Sequence, residues 1–308
     1  MLSHEEDAKK RRRLGARSAF ASLDRAPRGL PASADALRER APSLSTGKVG
    51  AQFVLKGAAL FTLWTGHPHR ATRDLDLLAF GDATEARVRA VFQDVIGLDV
   101  PDDGVVFEVA SLDVGPIRED QEYGGVRVTL VATVTSARVR LQIDVGFGDA
   151  ITPAAQVVEF PALLEFRAPK LRAYPPETVI AEKLDAMVQL GMANSRMKDF
   201  FDIAFLSRTF DFDGDLLARA IRTTFERRGT ALPEGLPLAF TSTFAEDVTK
   251  QAQWRAFLRK SGATVDAEGL PDVVAAISAF LSKPLQAAVA SGAWGAQWRR
   301  RGPWSVPV

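Results

Sequence analysis

Two carboxylates, Asp74 and Asp76, stand one residue apart in the run Asp74-Leu75-Asp76-Leu77-Leu78. On a strand, side chains alternate between faces, so both acids project to one side while Leu75 and Leu77 project to the other. Neighbouring like charges repel unless a cation lies between them, and two hard oxygen donors on a rigid strand suit a magnesium ion bridging a nucleoside triphosphate. An Asp-x-Asp pair is equally an ordinary feature of a solvated strand edge, so the pair alone leaves both readings open. The preceding residues add weight to the first. Phe53-Val54-Leu55 reads as a short buried strand, Gly57 as a turn, and 58–64 as a helix whose first amides face back toward that turn. Lys56 adds a point charge suited to phosphate. His67, His69, Arg70 and Arg73 then form a basic loop before the acidic strand. Strand, glycine turn, helix, basic loop and acidic strand, in this order, describe a site for a nucleotide and a metal. Thr72, two residues before Asp74, either packs against or caps the loop, or offers a hydroxyl for modification.

The elements that follow bring further charges into question. In Val139-Arg140-Leu141-Gln142-Ile143-Asp144-Val145 the odd positions are apolar, which places Asp144 on the same strand face as Gln142 and Arg140. Asp144 is one candidate for a third carboxylate, Asp149 beyond the strand end is its rival, and each is also readable as an ordinary exposed acid. Farther on, Pro175-Pro176-Glu177-Thr178 opens a helix, with proline in the first turn and an acid at the positive end of the dipole. At 100° per residue, Lys183 falls within the apolar arc of Val179, Ile180, Met187 and Leu190, while Glu182, Asp185 and Gln189 lie opposite. An unpaired buried ammonium costs several kcal/mol, so Lys183 either meets a phosphate or a carboxylate in a cleft, or snorkels to water. The next helix is apolar nearly all round, so Asp199 on it needs a partner, and Lys183 is the economical one. Asp202 reads as a structural pairing residue.

Several of these segments resemble one family. Lys56-Gly57-Ala58-Ala59-Leu60 followed by Arg70-Ala71-Thr72-Arg73-Asp74-Leu75-Asp76-Leu77 resembles the first motif of the AbiEii/AbiGii toxins, nucleotidyltransferase-like proteins of bacterial toxin–antitoxin and abortive-infection (phage-defence) systems. Ile180-Ala181-Glu182-Lys183-Leu184 and Arg196-Met197-Lys198-Asp199-Phe200-Phe201-Asp202 resemble its later motifs, in the family's order. One departure is Gly57-Ala58, where Gly-Gly or Gly-Ser is usual, so phosphate contact would fall to backbone amides. The resemblance implies Mg²⁺ held by Asp74 and Asp76, with Asp144 as third ligand, and an essential pair in Lys183 and Asp199. Lys56, Gly57, Arg73 and Lys198 are then the expected nucleotide contacts. It implies transfer of a nucleoside monophosphate from an NTP to an RNA acceptor, the 3′ end of a tRNA, which blocks translation and growth, and a cognate antitoxin encoded nearby. Two alternatives stay open: a kinase-like phosphotransferase acting on a protein or nucleotide, and a non-catalytic nucleotide- or RNA-binding module. Charged residues kept together among apolar neighbours speak against a decayed site.

Composition sets the frame. A chain of 308 residues, 46% hydrophobic, can bury a large core, and 39 basic against 38 acidic residues leave a net charge of +1, so RNA contact must come from local patches. The absence of cysteine excludes disulfides and thiolate metal sites. No apolar run approaches the ~20 residues of a membrane span, and the basic N-terminal stretch has no apolar core behind it, so the expectation is a cytoplasmic protein with no membrane partner. The expected fold class is α/β (α+β). A nucleotidyltransferase-like lobe with a mixed sheet, residues 1–160 including N-terminal helices, is followed by a mainly helical lobe, residues 161–308, that completes the active-site cleft. Expected elements are a helix over 84–96, strands over 105–114, 126–135 and 137–147, a proline-rich crossing over 153–176, and C-terminal helices over 215–228, 244–260, 270–281 and 285–300. Lys9 to Arg13 reads as a solvated terminus or an RNA contact. Trp294, Trp298 and Trp304 with Arg299-Arg300-Arg301 read as a packed final helix or a base-stacking platform.

Overall fold

The computed structural model describes residues 52–67, 69–70, 72, 74–98, 104–117, 124–134, 137–161, 168–261, 269–290 and 292–306. The expected N-terminal helices, the basic run Lys9 to Arg13 and Arg73 lie outside them. The chain divides into two compact units, 1–148 with 156–173, and 149–155 with 174–308. The position 160/161, where the sequence suggests a boundary, falls between two paired strands of the first unit.

That unit is built on a mixed eight-stranded sheet. Its strands are β1 (Phe53–Lys56), β2 (Leu75–Ala79), β3 (Val105–Phe107), β4 (Asp113–Pro116), β5 (Val126–Val134), β6 (Ala137–Phe147), β7 (Gln156–Glu159) and β8 (Lys170–Ala173). Their lateral order is β3-β5-β6-β2-β1-β8-β7, with β4 also on β5. β2 runs parallel to β6 and β1 parallel to β8; the other pairings are antiparallel. Strict alternation drives the two long strands. Along β5, Val126, Val128, Leu130, Ala132 and Val134 are buried and the residues between them half-buried, so one face is a hydrophobic surface and the other is free for polar groups. Helix α1 (Ala59–Thr65) follows β1 and stops at Gly66 in the left-handed region. Helix α2 (Glu85–Ile96) starts on Thr84, whose hydroxyl accepts from the Arg87 amide, and buries Val88, Phe92, Val95 and Ile96. Val88, Phe92 and Ile96 join Val128, Leu130, Leu141 and Ile143 of the sheet in one apolar core. The single strand expected over 105–114 is interrupted by a 3₁₀ turn at Val109–Ser111. The Ser111 hydroxyl causes the break, donating to the Glu108 carbonyl at 2.6 Å and accepting from the Val131 amide at 2.8 Å.

The second unit is helical: α3 (Pro176–Leu190), α4 (Met197–Thr209), α5 (Gly214–Arg228), α6 (Ser242–Ala245), α7 (Val248–Ser261) and α8 (Leu270–Ala290). A small antiparallel sheet of β9 (Phe212–Asp213), β10 (Gln297–Trp298) and β11 (Trp304–Ser305) accompanies them. The expected helix 244–260 is split, because the Asp247 carboxylate accepts from the Lys250 amide and starts α7 afresh. The expected pair 270–281 and 285–300 is corrected more sharply: α8 runs unbroken through Pro284 to Ala290, and 297–298 is strand. Proline removes the amide that would bond the carbonyl four residues back. Here that carbonyl, on Phe280, accepts the Trp304 indole N–H at 2.8 Å instead, so the helix continues without an orphaned acceptor. Trp298 likewise donates to the Ser207 carbonyl at 2.7 Å, and Phe280, Trp294, Trp298 and Trp304 form one aromatic cluster in which Phe280 and Trp304 are stacked and the other pairs tilted. These rings are engaged in packing. By length and composition α8 could cross a membrane, but its apolar face, including Val273, Ile277, Phe280 and Leu281, is buried against α4 and α5, as in a core helix.

Candidate active site

The acidic pair sits where β2 begins. Strand register sets Lys56 of β1 opposite Asp76, Asp76 beside Asp144 of β6, and Asp144 opposite Arg127 of β5. Residues in register on neighbouring strands share a face, so a row of cation, anion, anion, cation crosses four strands on the side away from the apolar core. Leu75 and Leu77 pack into that core from the other face. Asp144 therefore stands beside Asp76, but it is already clasped: Arg127 Nε donates to Oδ1 at 2.8 Å and Nη2 to Oδ2 at 2.7 Å. Gln142, two residues earlier on β6, donates to Asp74 Oδ1 at 2.8 Å. Among the described residues no group of three or more acidic or imidazole side chains converges closely enough to hold a metal ion. As a donor set, Asp74 and Asp76 fit a hard divalent ion, whereas Asp144 would have to release an oxygen from Arg127 to join them. The Thr72 hydroxyl donates to the Asp74 carbonyl at 3.3 Å, which closes the loop before the strand, and His69 stacks on Phe61 at 4.5 Å.

Gly57 turns the chain directly against Asp76. Its φ is 71°, in the left-handed region, and a Cβ there would overlap the Asp76 carboxylate. Gly57→Ala is accordingly expected to cost about 1–2 kcal/mol in backbone strain and, in addition, to push Asp76 out of place. The second contribution is separable: urea denaturation should show a smaller loss when Gly57→Ala is made in an Asp76→Ala background. Equal losses in both backgrounds would show that the side chain is not what the turn must accommodate.

Within the second unit, α3 and α4 build a network of two cations and two carboxylates. Lys183 Nζ lies 2.6 Å from Asp199 Oδ1 and 2.8 Å from Asp202 Oδ2, and Arg196 Nε lies 2.7 Å from Asp199 Oδ2. Both carboxylates are wholly inaccessible, while Lys183 is 13% and Arg196 35% exposed. Burial pushes the Asp199 carboxyl up, but Lys183 and Arg196 beside it outweigh burial and hold it below the usual carboxylate range. Lys183 thus meets carboxylates, one of the outcomes that its place in the apolar arc left open. Lys198, expected near the nucleotide, projects from the exposed side of α4. Arg196, which no local sequence pattern singles out, is set by its own turn. Its amide donates to Asn194 Oδ1 at 2.8 Å, and the Asn194 carbonyl accepts from the buried Lys250 of α7 at 2.8 Å.

The opposite side of α3 is not a solvated face. Arg228, at the end of α5, lies 3.1 Å from Asp149, 3.4 Å from Glu182 and 3.1 Å from Asp185. Burial works against the Arg228 charge, but Glu182, Asp149 and Asp185 outweigh it and hold the proton more firmly. Nearby, burial first, then Glu182 and Asp149, push the Tyr174 hydroxyl well above its ordinary range, so it stays protonated. Asp149, the rival to Asp144, is therefore part of this hub within the second unit.

A family model described as the nucleotidyl transferase AbiEii toxin of type IV toxin–antitoxin systems matches residues 41–282. No curated protein matches the chain. Among solved structures, JHP933 from Helicobacter pylori is similar at 14% identity, a TM-score of 0.48, and coverage of 84% of this chain and 93% of that one. An H. pylori protein described as a candidate nucleotidyltransferase is similar at 14% identity and a TM-score of 0.49, with 85% and 96% covered.

Proposed function

Since the chain belongs to the AbiEii nucleotidyl transferase toxin family, we propose that it transfers a nucleoside monophosphate from an NTP to an RNA acceptor, the 3′ end of a tRNA, and so halts translation in the cytoplasm until a cognate antitoxin counters it. The observation that carries this reading is the contact of Gly57 with Asp76, which presses a carboxylate against the turn that follows Lys56. In the reaction, the acceptor hydroxyl oxygen bonds to the α-phosphorus, the bond from that phosphorus to the bridging oxygen breaks, pyrophosphate leaves, and the hydroxyl proton passes to water. Lys56, the Gly57 amide and Arg73 would hold phosphate oxygens, and Lys198 is the further nucleotide contact that the family resemblance implies. Asp74 and Asp76 would hold Mg²⁺, joined by Asp144 if Arg127 yields an oxygen. When bound, that ion would draw charge from the phosphates and acidify the acceptor hydroxyl. Asp199 is a poor base, because both its oxygens face cations and its carboxyl is held low; its role in this reading is to fix Lys183 and Arg196.

The test is incubation of the protein with magnesium, each α-³²P-labelled NTP in turn and total bacterial tRNA. Label in tRNA with release of pyrophosphate supports the reading and names the nucleotide. Label confined to protein would move the acceptor to a polypeptide, and transfer of γ-label with release of a nucleoside diphosphate would replace the reaction with phosphoryl transfer.

A further inference from the structure

The second unit contains a cavity of about 600 Å³ that is lined by no residue of the α3–α4 network and none of the Arg228 hub. Its apolar wall includes Phe201 of α4, Trp254 of α7, Val273 of α8 and Trp298 of β10, each of them buried. Two arginines, Arg208 and Arg301, also line it, and no acidic residue does. The volume lies in the range of sites for small organic ligands. Apolar walls bordered by cations without a counter-charge favour an anion that carries an apolar body.

Arg301 is the unusual member of the pair. It lies in the turn between β10 and β11, which the Gly302 amide closes by donating to the Arg299 carbonyl at 2.6 Å. The Arg301 amide donates to the Ser207 carbonyl at 3.2 Å, and that carbonyl also holds the Trp298 indole at 2.7 Å. The turn forces Arg301 to a φ of 69°, and among the described residues it is the one residue other than glycine in the left-handed region. Glycine would suit this backbone better, since a side chain there meets the following carbonyl. The side chain brings no compensating bond: it is exposed, and its guanidinium pairs with no described residue, whereas its neighbour Arg299 pairs with Asp211 at 3.0 Å. A strained residue that the fold itself does not use is the kind found at ligand clamps.

We propose that this cavity binds a small amphiphilic anion, its apolar body between α4, α7 and α8 and its anionic head on the Arg301 guanidinium, with Arg208 adding to the positive field. The site lies wholly within the second unit and is independent of the nucleotidyl transfer reading.

The probe is 1-anilinonaphthalene-8-sulfonate, an aromatic body with one sulfonate, added to the folded full-length protein. Its fluorescence should rise on binding, decanoate should displace it, and decanol, which has the same chain length without the charge, should displace it at least about tenfold less effectively. Arg301→Gly should weaken decanoate binding about tenfold or more while melting at the wild-type temperature or above, because glycine relaxes the turn. Ala276→Leu, which narrows the cavity from α8, should weaken the dye while keeping a cooperative melt. Equal displacement by decanol and decanoate, unchanged decanoate binding in Arg301→Gly, dye binding indifferent to Ala276→Leu, or no dye binding by the wild type would each overturn the proposal. A lower melting temperature in Arg301→Gly would do so too, by making Arg301 a residue that the fold requires.

Discussion

Asp76→Ala should bring transfer of labelled nucleotide to tRNA down to background, a loss of about a hundred- to a thousandfold or more, the scale expected when a group that stabilises transition-state charge is removed. The chain should stay folded. Asp76 is half-buried on the polar face of β2, and its in-register neighbour Asp144 bears the same charge. Removing one of two adjacent like charges relieves the repulsion between Asp76 and Asp144, which offsets the loss of the charge opposite Lys56. The apolar side of the strand, where Leu75 and Leu77 meet the core, is untouched. The measurement is the labelled-NTP assay beside a thermal melt of the same preparation. Full activity in the variant would remove Asp76 from the site, and a collapse of the melting transition would make it a structural residue.

Arg228→Ala is expected to have the largest effect on stability, about 3–5 kcal/mol, because it breaks a buried pairing and leaves uncompensated charges. Asp149, Glu182 and Asp185 are 12%, 17% and 1% exposed, and one guanidinium serves all three. With a typical domain stable by only about 5–15 kcal/mol, such a loss should be visible as a shift of the urea midpoint to much lower concentration. Adding Asp185→Asn to Arg228→Ala should recover part of it, since Asp185 is the most deeply buried of the three acids. If Arg228→Ala unfolds within about 1 kcal/mol of the wild type, the scale of a solvent-screened surface pair, the hub is not the support it is taken for.

The two outcomes differ because the two carboxylate groups are used differently. At the start of β2 the acids lie on the polar face of the sheet, with Lys56 and Asp144 in register beside Asp76. Around Arg228 they face inward and are already complete. Nothing in the local sequence separates these cases. Asp149 follows a glycine as an exposed turn acid would, and Glu182 and Asp185 occupy the polar arc of an amphipathic helix, yet all three converge on an arginine at least 43 positions away in the chain.

The features legible along the chain are those that depend on short-range pattern. Alternation placed the acids of β2 and the Gln142–Asp144 edge of β6 on strand faces, because a strand has a period of two whatever it pairs with. The charged position within an apolar arc marked Lys183 as needing an anionic partner or a path to water, because burial makes an unpaired ammonium costly. Gly57 was legible as a turn for the same local reason. The tertiary structure alone decided which strands lie side by side, and hence that Asp144 stands next to Asp76 and is held by Arg127. It decided that Pro284 does not end α8, since the indole that satisfies the Phe280 carbonyl comes from Trp304. It decided, too, that Arg196 is anchored, which follows from contacts to Asp199, Asn194 and, through Asn194, Lys250 on another helix. Partners that are remote in sequence leave no periodicity behind, so their pairings emerge only when the chain is folded.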